Sequence, residues 1–149
     1  MTAAKANKYL ETQVNTATKE QLLLMLLDGG IRFARLGKEC IRTDRWSEAF
    51  EYLKRAQRIA MELVCSLDKN IGADIFNNLT SLYKFIYFRL VEASLRKDEQ
   101  MVNEALDILT HLRETWALAI DKRRKNNTGE VEADDSRHSE SACAISIQG

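Results

Sequence analysis

No proline interrupts the 149 residues, and four successive stretches repeat apolar residues at alternating intervals of three and four. Proline breaks helices, and strands need runs alternating by two. A proline-free chain with this rhythm and without β-branched alternating runs is therefore confined to long helices. The fold class predicted is all-α: four seams joined by a few residues each suit an antiparallel up-down four-helix bundle.

Thr18 with Gln21 three places on matches a capping box, so the first long helix starts there and runs to about Thr43 and Asp44. Leu22, Leu26, Gly29, Phe33, Leu36 and Cys40 form its predicted core seam. Leu24, Leu27 and Ile31 fall roughly 100 to 160° from Leu26, among Arg35, Lys38 and Arg42, and so make a second apolar ridge that needs a cover. Gly29, Gly30, Ala34 and Gly37 lie close together, and glycine inside a helix costs about 1 kcal/mol relative to alanine. Close packing of a neighbouring helix or a docking groove for a foreign one explains them.

The second helix keeps its repeat through Trp46, Ala49, Leu53, Ala56, Ala60, Leu63 and Leu67, with Phe50 and Val64 at its flank. SLDKNIG ends it, with Gly72 available for a left-handed turn. A third helix, about 73–97, has Ile75, Leu79, Leu82, Ile86, Leu90 and Ala93 as core candidates, with Phe76, Tyr83 and Tyr87 broadening the stripe. Phe85 and Phe88 lie off that seam, which leaves this helix too with surplus apolar surface. Asp98 caps the fourth helix, carried by Val102, Ala105, Leu109, Leu112, Trp116 and Ala119 to Asp121. The predicted organisation is an N-terminal arm or short helix over 1–17, a bundle over 18–121, and a disordered tail over 122–149, where KRRKNNTGEVEADDSRHSES carries almost nothing large and apolar.

Charge and chemistry then narrow the function. Lys plus Arg and Asp plus Glu are both 22, so no overall field draws the chain to nucleic acid. The opening MTAAKANKYLE lacks the apolar run of a signal peptide, and no stretch of about 18 apolar residues occurs, which predicts a cytosolic protein without membrane insertion. Cys40 and Cys65 read as small buried hydrophobes in a reducing compartment; Cys143 completes an odd count without metal-ligand spacing. A di-iron bundle needs paired Glu-x-x-His motifs, yet His111 has Ile108 three residues before it and His138 lies in the tail. No nucleophile has a histidine and carboxylate to activate it, and Gly29-Gly30 follows no strand. No catalytic residue, metal or cofactor is expected, and the chain is not read as an enzyme.

The residues also resemble a known family. The order Tyr9 to Val14, TATKEQLLLMLLDGGIRFA, the long segment from Ala49 to Ala93, and LDILTHLRETWALAI resembles the FliS family of flagellar secretion chaperones over about residues 8–121. The LL.ML.DG run at Leu22 to Gly29, NL..LY at Asn78 to Tyr83 and LRETW at Leu112 to Trp116 carry the likeness. Lys19 stands where the family usually has proline, Leu27 where an aromatic is usual, and the tail is longer. The resemblance implies a cytosolic bundle that holds the disordered C-terminal segment of flagellin, prevents its premature polymerisation and delivers it to the flagellar type III export apparatus. The partner surface expected is Leu24, Leu27, Ile31, Phe85 and Phe88, with Tyr9, Leu10 and Val14 as a displaceable cover. A self-associating structural or adaptor bundle, forming a homodimer, is the alternative. An export-gate component or an anti-sigma factor as additional partner is left open.

Overall fold

The computed structural model describes residues 5–8 and 18–130 of the chain. Tyr9, Leu10 and Val14, the expected cover, and the tail from 131 onward lie outside the described residues. Residues 5–8 are helical, and four long helices follow: α1 (Lys19–Arg42), α2 (Trp46–Cys65), α3 (Ala73–Arg96) and α4 (Glu99–Glu130), with a 3-10 turn at Lys69–Ile71 between α2 and α3. Each helix packs on its neighbour in sequence and α4 returns to α1, which closes an up-down bundle in which α1 and α3 stand at opposite corners. The described part is all-helical, as the seams predict.

The boundaries follow from local chemistry. The capping box at the start of α1 is formed: the Gln21 amide donates to Thr18 Oγ1 at 3.1 Å while the Thr18 amide donates to Gln21 Oε1 at 2.9 Å. Asp98 caps α4 through the Gln100 amide at 2.9 Å. The turns at the other helix ends use positive φ at Asp44 (60°), Lys97 (55°) and Gly72 (112°). Only Gly72 has the residue type that takes such a conformation freely.

The core differs from the predicted seam on two helices. On α1 the inward row is Leu23, Leu27, Gly30, Ala34, Gly37 and Ile41, one position on from Leu22, Leu26, Gly29, Phe33 and Leu36, which form the helix flank or the surface. The small residues turn inward because α2 approaches there: a Cβ on Gly37 would lie 2.6 Å from a methyl of Leu53, and one on Gly30 3.3 Å from Ile59. The glycines therefore serve internal packing. On α3 the inward row is Phe76, Leu79, Tyr83, Ile86, Leu90 and Ala93, while Ile75 and Leu82 are exposed. The α2 seam is as predicted from Ala49 to Leu67, except that Trp46 is exposed. Cys65 is exposed and only Cys40 is buried, a correction to their common reading as core residues.

The fourth helix does not stop at Asp121. It continues to Glu130, because Arg123 forms an ion pair with Glu20 of α1, Lys125 pairs with Asp121 at 3.2 Å, and the Thr128 hydroxyl donates to the Arg124 carbonyl at 2.7 Å. Composition alone hides these contacts.

Candidate functional site around α3

The five predicted partner residues do not meet in one groove. Leu27 (0% exposed) and Ile31 (8%) are core residues of α1, and Leu24 is half-buried, whereas Phe85 (40%) and Phe88 (59%) stand exposed on α3 at the opposite corner. The inward row of α1 lies one residue on from the predicted seam, and this turns Leu27 and Ile31 from the expected outer ridge to the interior. Leu27 presents no surface to a partner in the closed bundle, and Ile31 very little.

The exposed apolar surface that remains is gathered about α3. Ile75, Leu82 and Phe85 project within about 80° of one another on its flank, and Phe88 and Leu95 lie further round. Arg89 fixes which flank this is. Its guanidinium stacks over the Phe85 ring at 4.8 Å and reaches Glu104 of α4 at 3.0 Å, so Ile75, Leu82 and Phe85 border the α3–α4 seam. On α2, exposed Trp46, Phe50 and Met61 share a face, and Lys97 at the end of α3 sits over Trp46 at 4.7 Å. That face is the one turned to α3. Apolar residues thus flank α3 on both sides. Sequence reasoning missed Ile75, Leu82 and Leu95; their spacing around a helix that is apolar over most of its circumference was the available signal.

The interior beneath this surface is apolar apart from a few hydroxyls. Thr80 Oγ1 and Ser94 Oγ, both on α3, are buried without hydrogen-bond partners among the described residues. Burial pushes the Tyr83 phenol up to about 12, against a smaller opposing pull from Trp116. An unsatisfied buried hydroxyl costs about 1 to 3 kcal/mol, so α3 is held less favourably than its buried leucines suggest.

Among the described residues, no group of three or more His, Cys, Asp or Glu is placed to hold a metal ion, and His111 is exposed. A surface cavity of about 220 Å³ lies between Ser47, Glu48, Glu51, Tyr52 and Arg55, with Phe33 stacked on Tyr52 at 6.4 Å beside it. No helix among the described residues is long and apolar enough to cross a membrane.

The backbone of this bundle with an apolar face matches a solved flagellar chaperone from bacteria. The TM-score is 0.66 at 18% identity, over 80% of this chain and 97% of that one. The sequence model of the flagellar protein FliS matches residues 1–123. The flagellar secretion chaperone FliS of Bacillus subtilis (strain 168) is 36% identical over 81% of this chain and 90% of its own length. That of Salmonella typhimurium is 30% identical over 76% and 84%. The chain belongs to the FliS family of flagellar secretion chaperones.

Proposed function

We propose that this protein acts in the cytosol as an export chaperone for flagellin, binding the C-terminal segment of that subunit and keeping it from polymerising until the flagellar type III export apparatus takes it. The observation that carries the reading is the ring of uncovered apolar side chains about α3, set on a chain of this family. Ile75, Leu82 and Phe85 on one flank, with Phe88 and Leu95 further round, offer a track for the apolar stripe of an amphipathic helix. Each large side chain that becomes fully covered contributes roughly 1.5 to 3 kcal/mol. The client spends part of that gain on ordering its own backbone, which leaves the complex reversible enough for hand-over. Residues 9–14 are the proposed cover of the same track when the client is absent. Catalysis has no part in this function.

Calorimetric titration of the flagellin C-terminal segment into the wild type and into the Phe85→Asp, Phe88→Asp double variant tests it. The expected outcome is a loss of affinity of about tenfold or more at unchanged thermal stability, since buried aromatic anchors dominate such interfaces. Equal affinity in a stably folded variant would overturn the choice of surface. Sedimentation of the free protein as a dimer that persists in the complex would favour self-association instead.

A further inference from the structure

We propose that the chain carries a second cover of its own: residues 142–147, Ala-Cys-Ala-Ile-Ser-Ile, occupy the α3–α4 edge at Ile75, Leu82 and Phe85 and leave it when a client binds. The occupancy of the edge is independent of the client's identity; only the competition rests on the function proposed above.

Three observations point to this occupant. The edge is uncovered among the described residues, and it borders α4, the helix from which residues 131–149 continue. The family match ends at residue 123, so the common bundle does not account for this segment. Its composition is divided: Glu132, Asp134, Asp135 and Glu140 stand against Arg137, and an apolar set with Cys143, Ile145 and Ile147 follows. Lys122, Arg124 and Lys125 are exposed on the last turns of α4, opposite in sign to the acidic part that the chain must carry past them on its way back.

The reach is sufficient. α4 and α3 run antiparallel from the turn at Lys97 and have 32 and 24 residues, so α4 overshoots the start of α3 by about 12 Å at 1.5 Å per residue. The level of Phe85 then lies about 30 Å back along the bundle from Glu130. The fifteen residues from Glu130 to Ile145 span up to about 50 Å when extended. A tethered segment acts at an effective concentration on the order of millimolar, so a weak apolar contact suffices to populate the covered state.

The test uses the full chain. With Cys65→Ser removing the exposed thiol, Leu82→Cys places a thiol on the edge, and mild oxidation is expected to join it to the natural Cys143. The same substitution at Phe50 on α2 serves as control and should couple much more slowly. Equal coupling at both positions, or none at either, would overturn the proposal. Ile145→Asp with Ile147→Asp, which leaves the bundle untouched, is expected to raise affinity for the flagellin C-terminal segment by about tenfold if the edge is covered nine-tenths of the time. An unchanged affinity while Phe85→Asp still weakens binding would refute the self-cover and leave the client reading standing. If neither change affects binding but coupling at position 82 is fast, the client reading fails and the cover stands.

Discussion

α1 and α3 have equal length, 24 residues each, yet they solve opposite problems. α1 turns small residues toward its neighbours and gains close approach: a Cβ on Gly29, Gly30 or Gly37 would meet Ile59 or Leu53 of α2 at 3.3 Å or less. α3 buries Tyr83, Ile86 and Leu90 but keeps large apolar residues in solvent and the Thr80 and Ser94 hydroxyls without partners among the described residues. The contrast shows that apolar content alone does not tell a helix covered on all its apolar sides from one that is left partly uncovered. What separates them is whether the apolar circumference is matched by neighbours. Where α1 is matched, substitution should damage the fold; where α3 is not, it should damage only binding.

Truncation gives the largest expected separation. Leu27→Ala empties a fully buried site and should cost about 2 to 5 kcal/mol in denaturant unfolding. Phe88→Ala on the exposed side of α3 should stay within about 0.5 kcal/mol. Similar losses for the two would erase the distinction drawn between the helices.

A second contrast comes from alkali. Tyr83 is fully buried and its phenol holds its proton up to about 12, whereas an unfolded tyrosine ionises near 10. Between those values the native state binds the proton more tightly than the unfolded chain, so stability present below pH 10 falls as pH rises toward 12. Tyr83→Phe should remove an alkaline loss of roughly 2 to 3 kcal/mol, seen as a flatter unfolding midpoint from pH 10 to 12. At neutral pH the change should be small, because the burial of the hydroxyl offsets what it gains from Trp116. A marked loss at pH 7 would mean that the contact with Trp116 outweighs the burial and would weaken the description of α3 as poorly satisfied.

The smallest effect tests α1 itself. Gly37→Ala gains helix propensity of about 1 kcal/mol but drives a methyl into Leu53, and overpacking of this kind costs about 1 to 3 kcal/mol. A net loss of about 1 kcal/mol is expected, measured by thermal melting. A gain would mean that Leu53 moves aside easily and that the fit is looser than the distances imply.

Helix number, order and caps were legible because they depend on local chemistry: Thr18 with Gln21, Asp98, and the Ala and Leu row of α2. The phase of α1 was not, because its inward row contains Gly30, Ala34 and Gly37, which hydropathy reads as weak beside Leu22, Leu26 and Phe33. The phase of α3 blurred for the opposite reason: Ile75, Leu82 and Phe85 are as apolar as Leu79, Ile86 and Leu90, so little contrast marks the inside. The same blurring divided the candidate site. Phe85 and Phe88 were readable as surplus, whereas Leu27 and Ile31 inherited the error on α1. The family likeness was readable because order and spacing of motifs survive a one-residue error in facing. The extension of α4 depends on Glu20, about a hundred residues away in sequence, and no window along the chain reports it.

The ion pair between Glu20 and Arg123 gives the rod two unlike poles. One pole is made of the short turns at Asp44 and Lys97, each closed by a left-handed residue and polar on its outside. At the other, α1 begins beside the far part of α4, where Glu20 meets Arg123. Any machine that receives this bundle end-on can tell the poles apart without reading a single groove.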